Sequence, residues 1–205
     1  MSSFWSESIH GESTTSRIIA AYPSDLTQDV IGALGIVPTA KYDPSRDDIA
    51  PVNLGGEAIR IPSRVYFPEP PDRLVASLSE TQKTIVAALY TRHHDGFVRQ
   101  GWLEEIIANP AAWLAPFVLQ HLGEYVIEII NVLASRCNEL KEDRYHQFIQ
   151  SNAAFCDITC RRIVSYWSCY FHWSTPKFAD HVAYQVTKEI GLWRDDVAPR
   201  LIRVP

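Results

Sequence analysis

The chain has 205 residues, 46% of them hydrophobic and 21% charged, with a formal net charge of −5. That length suits one domain, or one domain with an elaborated arm, and the apolar content is ample for a core. Ten acidic residues stand against six basic ones up to residue 78, and fourteen against thirteen after it; neither half has the cationic excess that binds phosphates, so nucleic acid is excluded as the default partner.

The first residues, MSSFWSESIHGESTT, lack the basic start and apolar core of a secretory signal. No uncharged apolar run reaches the length of a membrane span, because His121, Glu124 and Glu128 interrupt the best candidate. Four cysteines, three of them in a helical-looking stretch, do not form the pattern of a secreted disulfide scaffold. The expectation is a soluble cytoplasmic protein with no membrane partner.

Residues 1–16 are rich in Ser, Glu and Thr and read as a loose arm, with Phe4 and Trp5 able to pin it. SDLTQDVIGALG follows as a short amphipathic helix, with Ser24 as N-cap and Gly35 as C-cap. Residues 36–56, with three prolines, the cluster Asp43, Asp47 and Asp48, and the turn Asn53-Leu54-Gly55-Gly56, read as loop. EAIRIPSRVYF alternates as strands do, and Pro62 forces an edge, bulge or break in it. Pro68, Pro70 and Pro71 make a stiff connector.

From residue 74 onward the patterning is helical. Ser79 and Gln82 form a capping box, and Asp95 caps GFVRQGWLEEIIA. Residues 116–134, PFVLQHLGEYVIEIINVLA, are apolar around most of a helical circumference, leaving the stripe Gln120, His121, Glu124, Glu128 and Asn131. Such a segment predicts a central buried helix packed on several sides. Residues 138–171 predict one long helix, or two with a break near Ser151-Asn152. Pro176 opens another helix that Gly191 closes, and the tail reads as extended. The fold class is therefore mainly α: stacked helical hairpins with a small β-hairpin element near residues 49–67. Residues 1–73 would pack on a helical body of residues 74–205, the whole forming one compact unit.

Within residues 82–134, LYTRHH leads into Asp95-Gly96-Phe97-Val98-Arg99, and FVLQHL leads into Gly123-Glu124-Tyr125-Val126-Ile127. The two segments pair at an offset of twenty-eight, aligning His93 with His121 and Phe97 with Tyr125. The first resembles a HEAT-type helical repeat, in which an Asp-bearing turn precedes Val-Arg at the start of the second helix; the second has Gly123 and Ile127 where that Asp and Arg stand. Asp95 would accept amide hydrogen bonds and Arg99 would pair with it one turn later. The resemblance implies a scaffold that binds macromolecules and performs no chemistry.

Four constellations carry chemical content. His93, His94, His121 and Glu124 are candidates for a metal or acid–base cluster, although histidines also suit a helix C-terminus, where the dipole favours them. His121, Glu124 and Glu128 would lie on one helical face, as paired carboxylates require; a solvated stripe paired with Arg92, Arg99 or Arg136 is the simpler reading. Cys156, Cys160, Cys169 and His172 offer three thiols and an imidazole, yet a continuous helix favours core packing. The aromatic run Tyr166, Trp167, Tyr170, Phe171 and Trp173 covers more than one face, so part of it should be exposed as a partner surface.

No P-loop, dinucleotide fingerprint, nucleophile elbow or zincin motif is present. The favoured function is a non-enzymatic protein–protein interaction module, a small acidic adaptor or an inhibitor or immunity-type protein directed at a basic partner. It needs no cofactor, and its contact residues are Trp167, Tyr170, Trp173, Arg99, Glu124 and Glu128. The alternative is a metal-dependent enzyme or metal-binding domain built on the His/Glu cluster.

Overall fold

The computed structural model of the protein describes residues 14–40 and 51–194. Phe4 and Trp5, the cluster Asp43, Asp47 and Asp48, and the tail after residue 194 lie outside the described residues. Those described are mainly α, with a single two-stranded antiparallel sheet, and none of their helices is long and apolar enough to cross a membrane.

Helices α1 (Thr14–Ile19) and α2 (Thr27–Leu34) come first. Ser24 does not cap α2; it opens a short 3-10 turn, and its N–H and hydroxyl donate to the Glu57 carboxylate at 2.9 and 3.0 Å. A carboxylate from the hairpin thus replaces a local cap. Tyr22 anchors this segment to the body: its hydroxyl donates to Ile85 O at 3.0 Å, and its ring packs 5.6 Å from Trp113 and 5.5 Å from Phe117. The phenol is buried with its one donor satisfied, which is how a tyrosine belongs in a core.

Strands β1 (Val52–Leu54) and β2 (Glu57–Ile59) pair with Val52 opposite Ile59. Gly55 (φ +61°) and Gly56 (φ +95°) make the turn; two successive left-handed residues match the strand twist, and only glycine adopts them freely. The hairpin therefore centres on a turn expected to lie in loop, and the run around Val65 is not its partner. Pro62 has no N–H to extend a ladder, and Val65 instead forms an isolated parallel bridge to His93, just beyond α4 (Glu80–Tyr90): its N–H donates to Arg92 O at 2.8 Å, and His94 N donates to Val65 O at 3.0 Å.

After α3 (Asp72–Ala76), α4 carries the expected Ser79–Gln82 capping box, and Asp95 caps α5 (Gly96–Ile106) by accepting Phe97 N at 2.8 Å. The central helix expected over residues 116–134 is not continuous. It divides into α6 (Ala115–Leu119), a 3-10 turn at Gln120–Gly123, an extended stretch at Glu124 and Val126, and α7 (Ile127–Ser135). Gly123 gives the reason. A Cβ there would sit 3.2 Å from Arg162 Cβ and 3.5 Å from Thr159 O, so this break is where another helix crosses at close range. Two short buried helices produce the same all-round apolar pattern as one long one.

The following stretch breaks at Asn152 as expected, into α8 (Asp143–Ser151) and α9 (Ala153–Tyr166), and α9 runs on into a wider π-type turn at Trp167–Phe171. Beyond Pro176, a 3-10 turn at Phe178–Asp180 precedes α10 (Val182–Glu189). One hydrophobic core extends from Ile18 to Trp193.

Asn152 joins the hairpin to this body. Its Oδ1 accepts Asn53 N at 2.7 Å, and its Nδ2 donates to Asn53 O at 3.0 Å and Phe148 O at 2.9 Å. Asn152→Ala removes three hydrogen bonds and leaves strand groups unpaired, so it should lower unfolding free energy by roughly 2–3 kcal/mol; a shift below about 0.5 kcal/mol in urea titration would show that water replaces the side chain without loss.

Candidate functional site

The break at residues 120–126 places Glu124 inside the protein among guanidinium groups. Arg64 Nη2 lies 3.0 Å from Glu124 Oε2 and 3.1 Å from Oε1, and Arg99 Nη2 lies 3.4 Å from Oε2. Arg92 sits beside them, fully buried, donating to Pro62 O (3.2 Å), Thr91 O (3.3 Å) and Ser63 O (2.5 Å). Arg99 also donates to His93 O at 2.9 Å and His94 O at 3.0 Å. Arg99 thus ties carbonyls just beyond α4 to the carboxylate, and Arg92 gathers the carbonyls of Pro62, Ser63 and Thr91 beside it, satisfying groups a helix end leaves open.

The expected ion pair between Asp95 and Arg99 is replaced by this inward one, because a buried guanidinium gains more from a buried carboxylate than from a capping Asp already engaged by Phe97 N. Glu124 and Arg99, expected on a contact surface, are both buried. Arg162 from α9 lies against Gly123 and is close enough to act on Arg92. Arg64 and Arg99 therefore pair with the glutamate, Arg92 lies within electrostatic reach of it, and Arg162 adds positive charge that acts on Arg92.

Their ionisation follows from burial and this imbalance. Arg92 is pushed down to about 9, first by desolvation and then by Arg64, yet it stays protonated at neutral pH. His121, fully buried, is lowered from 6.5 to about 4, mainly by desolvation. Its Nδ1 lies 3.6 Å from Glu124 Oε1, too long for a hydrogen bond, and neither ring nitrogen has a hydrogen-bond partner. Desolvation opposes the Glu124 charge, but His121 and the two paired arginines outweigh it and hold this carboxyl far below its ordinary range.

The histidines proposed from sequence do not converge. His93 is buried; its Nε2 donates to Phe67 O at 3.1 Å, and its Nδ1 accepts Asp95 N at 3.1 Å, so both ring nitrogens are engaged. His94 is exposed and packs on Tyr66 at 5.2 Å. His121 is enclosed with the arginines, and Glu128 is exposed in the first turn of α7. Among the described residues, no three His, Cys, Asp or Glu side chains meet in a way that would hold a metal ion.

Cys156 and Cys160 are buried in α9, their thiols raised to about 12 and about 11 by desolvation, whereas Cys169 is exposed. The His172 ring packs edge-on against Trp167 at 5.1 Å.

The aromatic run divides between core and surface. Trp167, expected at the contact surface, is 3% exposed and donates from Nε1 to Thr175 O at 2.8 Å. The π-type turn widens the helix there, with His172 N bonding back to Trp167 O at 2.8 Å, and so turns Trp167 inward while Tyr170 (61%) and Trp173 (90%) point outward. Tyr125, counted by periodicity among core positions, is exposed. It joins Tyr166 and Tyr170 in a triangle of rings 5.7, 5.8 and 6.0 Å apart. This triangle stands directly outside the charged cluster, since the Tyr125 phenol acts on Arg99 and Glu124 precedes it in the chain.

No known protein family, curated protein or solved structure matches this chain.

Removing one charge from the cluster should cost far more than a surface pair does. Glu124→Gln should lower stability by roughly 3–5 kcal/mol, because guanidinium charge is left buried without its counter-ion; a loss under about 1 kcal/mol would mean that the carbonyls alone satisfy the arginines.

Acid should act through His121. Its folded value, about 4, lies below the ordinary 6.5, so its contribution is complete above pH 6.5 and is lost as pH falls toward 4. That loss amounts to at most about 3 kcal/mol. Glu124, with a depressed folded value, adds a further loss only below the ordinary carboxylate range. Urea midpoints measured across this window should slope less steeply for His121→Leu than for the wild type; equal slopes would place the sensitivity elsewhere.

Proposed function

We propose that the protein is a non-enzymatic protein-binding module, an adaptor or an inhibitor of the immunity type, that uses the aromatic stripe at the end of α9 as its contact surface. The observation that carries this reading is Trp173, 90% exposed, three residues beyond a tyrosine triangle that is itself partly open. Large aromatic side chains left in water at this density are unfavourable for a free monomer, and they are the residue types that dominate binding energy at interfaces. Tyrosine and tryptophan also lose little conformational entropy when a partner covers them.

The buried arginine–glutamate cluster supports the stripe from beneath and keeps residues 123–126 fixed. Trp167 then has a structural role, anchoring the π-type turn that presents Tyr170 and Trp173.

Native mass spectrometry of the protein recovered gently from its own cells should show a second chain in fixed ratio. Trp173→Ala combined with Tyr170→Ala should abolish that complex while shifting the thermal midpoint by no more than about 2 °C. A complex that survives the double substitution unchanged removes the stripe from the interface. A bare chain in the wild-type sample counts against the module altogether.

A further inference from the structure

A second surface lies along α5. Val98, Gly101, Trp102 and Glu105 form a stripe along that helix beside Phe97, and with Val75 and Glu69 they line an open cleft of about 570 Å³. Phe97 is 86% exposed on its edge. The floor is half-buried Trp102, whose ring packs 5.6 Å from Tyr90 and whose Nε1 donates to Glu69 Oε1 at 2.9 Å. That bond holds the Glu69 carboxylate at the rim, and a carboxylate has further lone pairs to offer a cation. Gly101 opens the middle of the stripe, since a Cβ added there would meet nothing within 4 Å. The glycine is therefore not required by packing, and in the interior of an exposed helix it is unfavourable. Its effect is to leave a gap, one side chain wide, between Phe97 and Trp102.

We infer that this cleft binds a basic amphipathic segment of a partner protein, one apolar side chain entering over Gly101 and flanking Lys or Arg residues pairing with Glu69 and Glu105. Charge selects the class of occupant: both charged residues lining the cleft are carboxylates, so they favour a cationic segment and repel an acidic one. The volume lies within the range of roughly 300–1,000 Å³ typical of binding clefts, and the exposed Phe97 edge suits an elongated chain. The inference uses none of the residues of the aromatic stripe and does not depend on it.

A fluorescently labelled amphipathic Lys/Leu peptide and its Glu/Leu counterpart, titrated against the full chain by anisotropy, provide the test. The Lys/Leu peptide should bind saturably and the Glu/Leu peptide should not. Gly101→Leu fills the gap with a better helix former and should weaken binding about tenfold or more without lowering the thermal midpoint. Phe97→Ala should weaken it as well. Glu69→Gln, which keeps an acceptor for Trp102, combined with Glu105→Gln should weaken binding and flatten its salt dependence, whereas Glu128→Gln and Trp173→Ala should leave it unchanged. Absence of saturable binding, equal affinity for both peptides, or undiminished affinity in both Gly101→Leu and Phe97→Ala would overturn the assignment. The last result would reduce the interaction to general attraction toward a chain of net charge −5.

Discussion

The fold turns on one electrostatic constraint. A single glutamate, Glu124, pairs with Arg64 and Arg99 and lies within electrostatic reach of Arg92, charges that come from segments up to 60 residues away in the chain. The guanidinium groups can be buried there because they also bind main-chain carbonyls at residues 62–63, 91 and 93–94. The carboxylate balances part of their charge, and the carbonyl dipoles accept most of the remaining donors. Arg144 repeats the device elsewhere, donating to Ile107 O and Asn109 O after the end of α5. The buried arginines Arg92, Arg99 and Arg144 thus serve as internal fasteners for helix ends and loops.

The cluster determines what reaches the surface. Holding Glu124 inward requires residues 124–126 to leave helical geometry, and that departure exposes Tyr125 instead of burying it. A crossing at Gly123 brings α9 close, which sets Tyr166 and Tyr170 beside Tyr125. The π-type turn then divides Trp167 from Tyr170 and Trp173. Charge burial, helix crossing and the widened turn therefore combine to produce an aromatic stripe on a fastened base, which suits recognition better than a mobile loop would.

His93 has both ring nitrogens engaged, His121 is sealed among cations, and the buried cysteines have raised thiols, so none of these groups combines access with activation. The two surfaces that do reach solvent differ in kind: one is aromatic with arginines beneath it, and the other is apolar with a carboxylate rim.

Much of the architecture was legible in the amino-acid sequence because it depends on short-range physics. The mainly helical class, the Ser79–Gln82 capping box, the Asp95 cap and the break at Asn152 follow from propensity, capping and apolar periodicity, each acting within a few residues. Periodicity could not reveal the division of residues 116–134, since two buried helices and one long one share an apolar pattern. Nor could it separate Trp167 from Trp173, whose fates diverge through an extra residue per turn. The role of Arg64 was invisible, because its partner stands sixty residues away and no local signal links them. Tertiary structure alone decided which charges were buried together and which aromatics were left in water, because burial is a property of what the rest of the chain packs against.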